Sequence, residues 1–556
     1  MAAAGISEGG RFVSSQKSTT EVDALPPATF GGEVEALVID ADGHLGPMTP
    51  ELRNKAVSAI AEETHLRGEL DLYACTPQVS WDVPRSTPEL NLGVYDTLPA
   101  VVHSARLAIS TLNHVLSRHG LSLLATAYHP SDTEEYAYRY VVNKPIYRLF
   151  RGTRQGPTND LTTGERAMLA AAWPDQPERG RGFDHRVHSL SAGIHVWTRT
   201  DPESAGSHLA VIHALGWMFN LLTANGPFRH GLALARDVRL TTWDRFLAPS
   251  RCPRDLLVGR PLPEQPKGLA DYFSWVMSFC PLAVPDVEAG GGAWDHPLAV
   301  IPPDDLPDWS ILDFLECDQC RVVGLDGRVR WIEPQFAHMC NGGDWFYWPA
   351  TGGRLRVLAP YPERVNPRLF AQAVRRGDDV ALTEMFALAG IEEAGKGALC
   401  IEGRASATAL PAPLWTEAGW SMIATPFVLQ TAVLRAHKEI WQILEASGLS
   451  WNELTVTLPH LTNSIGPGYG FAAVVRNVNI RELAQHVWEV AARHLAQQEL
   501  SLVGDAIDRV LRRGKAPAEI QLGFVQHRTD RGMAHIDAVA ELIEKLRVPL
   551  NLSHRT

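Results

Sequence analysis

The sequence predicts an α+β protein, because its strand-like and helix-like stretches do not alternate strictly. Short apolar strand candidates occur mainly before residue 360, and helical patterns dominate from about Asn366 onward. Before residue 360, one strand candidate is followed directly by an apolar helix and then by a Gly-Pro loop. Strict alternation is typical of a doubly wound parallel sheet, so its absence favours the α+β class.

The first predicted strand covers the segment FGGEVEALVID, from Phe30 to Asp40. Alternation along a strand places Glu33 and Glu35 on one face, followed on that face by apolar residues. The other face is apolar until Asp40. A buried carboxylate is unfavourable unless it is paired or holds a cation. The segment therefore indicates either a cation site or a solvated strand end.

Two helices are predicted after this strand. Thr49 is a suitable N-cap, and Pro50 occupies the first position of a helix that continues to about Leu66. The stretch TLPAVVHSARLAISTLNHVLSRHG also has helical spacing and ends at Gly120, which suits a helix C-terminus. The strand candidate LSLLATAYHP follows.

The segment AGIHVWTRTD gives the clearest strand prediction. Ile194 and Val196 point to one side, whereas His195, Trp197 and Arg199 point to the other. A half-buried, hydrogen-bonded histidine is the ordinary alternative to a functional role for the histidine on this strand.

A helix is predicted directly after this strand. Asp201 is its N-cap, Pro202 is its first residue, and apolar positions continue to Leu222. Asn225-Gly226-Pro227 ends it. Further strands are predicted at RVRWIEPQF and ATGGRLRVLAP, after a long Gly-, Pro- and Asp-rich stretch between Pro285 and Pro307.

Composition narrows the class of protein. The chain has 556 residues, of which 45% are hydrophobic and 21% charged, as in ordinary globular proteins. A net charge of -12 without a lysine or arginine run argues against nucleic-acid or anionic-membrane partners. The sequence lacks a run of about 18 apolar residues, and its seven cysteines suit a reducing compartment. Residues 1–27 are expected to form a flexible arm, and the protein is expected in the cytoplasm.

Several segments, in this order, resemble motifs of the type 2 glutamate–cysteine ligase family of carboxylate–amine ligases. GGEVEALVIDADG is similar to its G-x-E-x-E strand, HGLSLLATAYHP to its segment ending in His-Pro, and AGIHVWTRTD to its G-[LI]-H-V strand. TANGPFRHG is similar to the A-x-S-P-F-x-x-G loop, and DVRLTTW and LADYFSWVM to the two elements that come next. Each motif is weak alone, but their order makes the resemblance specific.

The resemblance implies a fold related to glutamine synthetase, in which a curved, mostly antiparallel sheet forms a funnel flanked by helices. It assigns residues 28–450 to a ligase-like catalytic domain, followed by a mainly helical region over 451–556. It also implies an ATP- and Mg²⁺-dependent ligase that forms an amide bond through an acyl phosphate, with an amino acid carboxylate and an amine as substrates.

The same resemblance suggests roles for individual residues. Glu33 and Glu35 are expected to bind metal; carboxylates at i and i+2 on a strand lie about 7 Å apart, which suits two ions along a phosphate chain. His195 is expected to assist at metal or phosphate. Trp197 stands where the family often has a second histidine, and its indole suits stacking on a base or substrate. Asn225, in the Gly-Pro loop, is expected to contact the cofactor.

The family also has an E-x-R pair on a late strand, and two registers are open. WIEPQF offers Glu333 as a metal ligand, with Gln335 at the arginine position and expected at the cofactor. RLRVLAP offers Arg356 and Leu358. The first register is preferred because it keeps a carboxylate. Since both lack the arginine, Arg239 is the candidate that steadies an anionic substrate or phosphate.

A separate pattern, ECDQC followed by HMC, places Cys317, Cys320, His338 and Cys340 in a C-x2-C…H-x-C order. Four such ligands suit structural Zn²⁺, although the second pair is unusually close in sequence. Ordinary part-buried cysteines are the alternative. Two further functions also remain open for the whole chain: the same ATP chemistry on a different acid or amine, and a ligase-fold binding protein without catalysis.

Overall fold

The computed structural model describes residues 30–66, 77–82, 84–142, 189–241, 262–278, 283–285, 298–300, 310–324, 328–338, 351–391, 399–408, 410–415 and 420–550. The arm over 1–27 lies outside these ranges. The strands are β1 (Phe30–Glu35), β2 (Leu37–Ile39), β3 (Gln78–Trp81), β4 (Pro88–Tyr95), β5 (Ser122–Leu124), β6 (Gly193–Arg199), β7 (Phe228–Arg229), β8 (Leu232–Ala233), β9 (Ala283–Pro285), β10 (Leu298–Val300), β11 (Cys320–Val323), β12 (Val329–Ile332), β13 (Gly353–Val357), β14 (Leu399–Ala407), β15 (Val474–Val475) and β16 (Val478–Asn479).

Helices surround these strands and make up most of the second half of the chain. They are α1 (Pro50–Leu66), α2 (Leu98–Ser117), α3 (Glu134–Tyr138), α4 (Pro202–Ala214), α5 (Gly216–Thr223), α6 (Leu269–Val276), α7 (Ile311–Glu316), α8 (Pro367–Arg376), α9 (Asp379–Leu388), α10 (Ser421–Arg435), α11 (His437–Ala446), α12 (Leu458–Asn463), α13 (Ile480–Ala492), α14 (Gln497–Ser501), α15 (Ala506–Arg513), α16 (Pro517–Asp530) and α17 (His535–Lys545).

The principal sheet has six strands in the order β13-β14-β6-β1-β4-β3. Every neighbouring pair within it is antiparallel. A second, four-stranded sheet has the order β12-β11-β10-β9. The predicted α+β class, with a large antiparallel sheet flanked by helices, is therefore confirmed.

One face of the principal sheet is apolar and packs on helices. Val34, Val196 and Ile401 are buried on it. Helix α10 covers these central strands, and its Gln430 donates through Nε2 to the carbonyl oxygens of Val196 at 3.0 Å and Ile401 at 3.3 Å. Helices α2 and α5 contact β4 and β14 on either side. This packing leaves the opposite face of the sheet for polar side chains.

Local sequence signals explain several elements. Leu52 N donates to the side chain of Thr49 at the start of α1, and Asp201 accepts from Ser204 N at 2.7 Å at the start of α4. The predicted helix after Asp201 is wrong in one respect: the chain bends by 49° between α4 and α5, at Leu215. Strand β14 was not predicted, because it lies in the part of the chain with mainly helical patterns.

The helical C-terminal region packs directly on the rest of the protein. Its apolar side chains belong to the same hydrophobic cluster as those of the sheet. Ala125 N donates to Leu546 O at 2.8 Å, and Val548 N donates to Leu123 O at 2.9 Å. The mainly helical character of this region is confirmed, and a boundary at residue 450 stays a prediction.

Among the described helices, none taken singly is long and apolar enough to cross a membrane. The bent pair α4 and α5 meets the length and composition criteria only when its two members are joined. All eight residues of α5 are buried within the fold.

Candidate functional site

The polar face of the principal sheet gathers charged residues from five strands. Antiparallel register sets Glu33 opposite His195, and Trp197 opposite Glu402. Arg354, on the edge strand β13, is likewise opposite Glu402. Because directly opposed residues on antiparallel strands project from the same face, strand pairing alone brings these side chains together.

The first cluster consists of Glu33, His195 and Glu402. One potential ligand atom from each lies within 4.8 Å of the others. His195 Nδ1 is 2.9 Å from Glu33 Oε2 and 4.0 Å from Glu402 Oε1. Glu402 is fully buried and the side chain of His195 is only 6% exposed. This is a compact set of two carboxylates and one imidazole.

Arginines determine the ionisation of this cluster. Arg354 binds Glu402 through Nε at 2.9 Å and NH2 at 3.1 Å, and Arg404 NH1 contacts the same carboxylate. Burial opposes ionisation of Glu402, but the charges of Arg354, Arg404 and Arg356 outweigh it and hold its pKa well below the usual range. Glu402 is therefore an anion at neutral pH.

His195 and Glu33 have complementary ionisation. Burial, reinforced by the charge of Arg404, lowers the pKa of His195, so its ring is neutral at pH 7. Burial also opposes ionisation of Glu33, but the hydrogen bond from His195 and the charge of Arg356 outweigh it and lower the pKa of Glu33. A neutral imidazole beside ionised carboxylates is the form that binds a metal ion.

The second cluster lies next to the first and contains Glu35, Asp82 and Glu89, again with potential ligand atoms within 4.8 Å of one another. Glu35 Oε2 accepts from Gly193 N at 2.6 Å, and Glu89 Oε1 accepts from Asn91 Nδ2 at 2.7 Å. Burial, together with the charges of Asp82 and Glu89, raises the pKa of Glu35 well above its ordinary value. Three carboxylates this close repel one another, and at Glu35 the charges of Arg404 and Arg239 offset that repulsion only in part.

Two glycines allow the sheet to pack closely behind these clusters. A Cβ at Gly32 would lie 2.7 Å from His195 O and 2.9 Å from the ring of Phe427 on α10. A Cβ at Gly403, between Glu402 and Arg404, would collide with the side chain of Gln430. Because these two glycines have no side chain, β1 and β14, which carry the acidic residues, can pack directly against α10.

The preferred E-x-R register, Glu333 and Gln335, lies away from both described clusters, and the roles expected of these two residues stay predictions. Both side chains are exposed, and they follow β12 in the four-stranded sheet rather than lying on the principal sheet. Neither described cluster includes Glu333. An E-x-R sequence, Glu402-Gly403-Arg404, lies on β14, with Glu402 on the polar face.

Asn225 makes hydrogen bonds within the protein, and its expected contact with the cofactor stays a prediction. It is fully buried, and its Nδ2 donates to Ala125 O at 3.2 Å and Thr408 O at 2.6 Å. Its Oδ1 accepts from Gln521 Nε2 on α16 at 2.7 Å. With both amide hydrogens bonded to the backbone, it has no donor left for a nucleotide.

Arg239 is buried beside the site and binds the backbone of β14. Its guanidinium donates to Arg404 O at 3.3 Å and Ala405 O at 3.2 Å, and it pairs with Asp237 at 3.5 Å. It therefore positions the end of the strand that carries Glu402 and Arg404. The charge of its guanidinium also acts on Glu35 of the second cluster and lowers the pKa of that carboxyl, which burial and neighbouring anions raise.

Trp197 is on the polar face, as its alternation predicted, but its described partner is a protein side chain. The guanidinium carbon of Arg356 lies 4.5 Å from the centre of its ring. Arg356, from the register not preferred in the sequence, also belongs to this face: its NH1 is 3.6 Å from Glu33 Oε1 and 3.4 Å from Glu402 Oε2.

The zinc pattern is not assembled among the described residues. Cys317 is partly exposed after α7, Cys320 is buried on β11, and His338 Nδ1 is 2.8 Å from Gln335 N. No described group of three metal-binding side chains includes any of them. Cys340 lies outside the described residues, and zinc binding stays a prediction.

Sequence reasoning missed Glu402, Arg404, Asp82 and Glu89 as site residues. The stretch LCIEGRASA has a signal of its own: a glutamate and an arginine two positions apart, with a glycine between them, among small and apolar residues. Asp82 and Glu89 have no comparable local signal. They become site residues only when β3 and β4 pair beside β1.

Together these features define a class of site: a sheet face with two adjacent candidate cation clusters and several arginines beside them. No protein-family model and no curated protein sequence matches the chain.

The solved structures that are similar to the chain include two ligases. One is the glutamate–cysteine ligase of Francisella tularensis in complex with AMP, at 11% identity and a TM-score of 0.47, covering 94% of this chain and 88% of the other. The other is the bifunctional glutathione synthetase of Pasteurella multocida, at 11% identity and a TM-score of 0.42, covering 94% of this chain and 51% of the other. The chain thus spans about half of the second protein.

Proposed function

We propose that the protein is an ATP- and Mg²⁺-dependent carboxylate–amine ligase whose active site is the polar face of the principal sheet. The observation that carries the proposal is the pair of adjacent clusters, Glu33–His195–Glu402 and Glu35–Asp82–Glu89. Glu33 and Glu35 are two positions apart on β1 and each belongs to a different cluster. This arrangement suits two cations along a phosphate chain.

The residues fit Mg²⁺. Two ligands on opposite sides of one octahedral Mg²⁺, each at ~2.1 Å, are ~4.2 Å apart. The potential ligand atoms in each cluster already lie within 4.8 Å of one another, so small side-chain shifts suffice. A cation would also stabilise the ionised form of Glu35, whose pKa burial and neighbouring anions raise. Bound Mg²⁺ would neutralise the phosphate chain and so make a phosphoryl group easier to transfer to a carboxylate.

The chain's own groups account for the remaining requirements. Arg404, held beside Glu402, provides a fixed positive charge for the transferring phosphoryl group. His195 remains neutral because burial lowers its pKa, so it binds as an uncharged ligand and does not repel a cation. Arg239 fixes the backbone of β14 and thereby the position of Arg404. We assign it a positioning role.

The expected substrates are an amino acid carboxylate and an amine, as in γ-glutamylcysteine formation. The presence of Arg404 removes one reason for a catalytically impaired protein, since the E-x-R pair is complete. Trp197 stands where the family that the sequence resembles often has a second histidine, and it stacks on Arg356 beside the first cluster. These two residues therefore favour the same ATP chemistry on a different acid or amine. The expected location is the cytoplasm.

Measuring ADP release tests the proposal. Purified protein with Mg²⁺ and ATP is incubated with a panel of amino acids and amines, and mass spectrometry identifies any amide product. We expect turnover with at least one pair, and a loss of about 100-fold in kcat for Arg404→Lys, which keeps the charge but not the planar fork. Folded protein that neither binds Mg·ATP nor releases ADP would contradict the proposal. Binding without turnover would identify a nucleotide-binding protein that lacks catalysis.

A further inference from the structure

Arg356 occupies a place between two carboxylates of the first cluster. Its NH1 lies 3.4 Å from Glu402 Oε2 and 3.6 Å from Glu33 Oε1. Glu33 and Glu402 are the same two residues that, with His195, form the candidate metal cluster. A guanidinium nitrogen therefore takes the bridging place that a cation shared by these carboxylates would need.

Arg356 is held differently from its neighbour Arg354. Arg354 makes two hydrogen bonds to Glu402, at 2.9 and 3.1 Å, and its side chain is 4% exposed. The ion pairs of Arg356 are longer than the 2.7–2.9 Å typical of charge-assisted hydrogen bonds, and its side chain is 17% exposed. Arg354 thus binds Glu402 tightly, and the contacts of Arg356 with Glu33 and Glu402 are longer.

Trp197 gives Arg356 a second support that does not depend on the carboxylates. The guanidinium carbon lies 4.5 Å from the centre of the indole ring, within range of a cation–π interaction. Trp197 lies opposite Glu402 across the β6–β14 pair, so this support is fixed by the register of the sheet. The stack keeps the guanidinium next to the cluster even when an ion pair is lost.

We propose that Arg356 is an internal counter-ion that a divalent cation displaces from Glu33 and Glu402, and that the displaced guanidinium, still supported by Trp197, binds an oxyanion of the substrate or nucleotide. This inference rests on the metal site in the proposed function. It adds a coupling between metal binding and anion binding that the two clusters alone do not provide.

Electrostatics requires the exchange. Two cations placed between the same pair of carboxylates repel one another strongly in a poorly solvated site. A divalent ion also needs the oxygens at ~2.1 Å, closer than a guanidinium between them allows. Metal binding therefore moves NH1 of Arg356 away from Glu33 and Glu402. The coupling is reciprocal. The factor by which bound metal weakens the ion pairs of Arg356 equals the factor by which those ion pairs weaken metal binding.

The displaced group is suited to an oxyanion. A guanidinium presents planar paired donors that match carboxylate and phosphoryl oxygens. The ligand's source is either the carboxylate of an acid substrate or a phosphoryl group of the nucleotide. Both are expected at this site under the proposed function, and separate binding measurements distinguish them.

Calorimetry with Mg²⁺ alone tests the competition. We expect Arg356→Met to bind Mg²⁺ about tenfold more tightly than the natural protein, because the competing charge is gone. Arg356→Lys keeps a positive charge and should bind Mg²⁺ much as the natural protein does. Arg364→Met is the matched control, because Arg364 is an exposed arginine stacked on Tyr361 at 3.8 Å, and it should leave Mg²⁺ affinity unchanged.

The anion is tested with the same variants in saturating Mg²⁺. Arg356→Met should bind Mg·ADP about tenfold more weakly if the oxyanion is a phosphoryl group, or L-glutamate about tenfold more weakly if it is a carboxylate. Trp197→Leu should weaken binding of the same ligand, and Trp197→Phe should restore most of the affinity for it. Unchanged affinity for both ligands overturns the anion-binding role.

Two outcomes separate this inference from the proposed function. If the natural protein binds Mg²⁺ and Glu33→Gln loses binding, but Arg356→Met is unchanged, the exchange is refuted and the metal site stands. If Glu33→Gln and the natural protein have the same Mg²⁺ affinity, both proposals fail. If Arg356→Met has a lower midpoint of thermal unfolding than the natural protein, Arg356→Gln, which also removes the charge, replaces it in these measurements.

Discussion

His195 and Glu33 lie opposite one another on neighbouring antiparallel strands, and 2.9 Å separates Nδ1 of the histidine from Oε2 of the glutamate. Without a bound cation, the ionised Glu33 accepts a hydrogen bond from Nδ1–H, which leaves the lone pair of the neutral ring on Nε2. Nε2 lies 3.8 Å from Glu35 Oε1 in the second cluster. His195 therefore connects the two clusters and orients its free nitrogen toward the second.

Replacing Glu33 tests the first cluster. We expect Glu33→Gln to weaken Mg²⁺ binding by about 100-fold, because an amide oxygen lacks the charge that a divalent cation requires. Calorimetric titration with Mg²⁺ measures the loss. Glu333→Gln is the control, since Glu333 is exposed next to the other sheet, and its Mg²⁺ affinity should equal that of the natural protein. A larger loss for Glu333→Gln than for Glu33→Gln would restore the rejected register.

The raised pKa of Glu35 predicts a pH-dependent stability. Between the ordinary value of 4.5 and the higher pKa in the folded protein, the folded state binds more protons than the unfolded chain. The free energy of unfolding contributed by this group therefore falls as pH rises through that window. Glu35→Gln removes the titrating group, so we expect it to exceed the natural protein in stability by about 1 kcal/mol at pH 8 without Mg²⁺.

Urea unfolding in EDTA across pH 4.5 to 8 measures this difference. It should be small at the acidic end, where Glu35 is protonated in the folded state and about half protonated in the unfolded chain, and should grow as pH rises. His195 and Glu402 are present in both proteins, so their contributions to the pH dependence cancel when the two free energies of unfolding are subtracted. A difference that stays constant across the range would show that Glu35 is not the responsible group.

Strand alternation and motif order were enough to predict part of the site. They placed Glu33, Glu35, His195 and Trp197 correctly on one face of their strands, because alternation needs only local sequence. The β14 segment was missed because glutamate, arginine and alanine are good helix formers and the strand is buried on both faces, which removes the polar–apolar alternation.

Residues that depend on long-range pairing had no local signal. Glu89 joins the site because β4 pairs with β1 in a register that sets it opposite Glu35. Asn225 illustrates the same dependence, since its side chain in a motif-like loop donates to two backbone carbonyl oxygens and accepts from the side chain of Gln521. Only tertiary contacts distinguish a buried structural amide from a ligand-binding one.

The structural role of Asn225 predicts a loss of stability without loss of ligand affinity. Asn225→Ala removes the donors to Ala125 O and Thr408 O and leaves Gln521 Nε2 with only the backbone carbonyl of residue 225 as its acceptor there. We expect the free energy of unfolding to fall by about 3 kcal/mol. Asn54→Ala, at an exposed position of α1, is the control and should have little effect. Reduced Mg·ADP affinity at unchanged stability would return Asn225 to the ligand-binding residues.

The close packing of Gly403 against α10 predicts a coupled pair of substitutions. A side chain at Gly403 collides with Gln430, whose Nε2 donates to Val196 O at 3.0 Å. We expect Gly403→Ala to lower the free energy of unfolding by about 2 kcal/mol, because the displaced amide loses its bonds and the strand shifts. Gly403→Ala combined with Gln430→Ala should be at least 1 kcal/mol more stable than the sum of the single losses predicts, since the shorter side chain makes room for the new methyl group.

Chemical unfolding of the four proteins in this double-mutant cycle measures the coupling. Gly523→Ala is the matched control, because a Cβ at this position in α16 meets nothing within 4 Å. It should stabilise the helix by about 0.5–1 kcal/mol through helix propensity alone. Strictly additive losses at Gly403 and Gln430 would mean that the two side chains do not compete for space. The packing of α10 behind the site would then not explain why a glycine lies between Glu402 and Arg404.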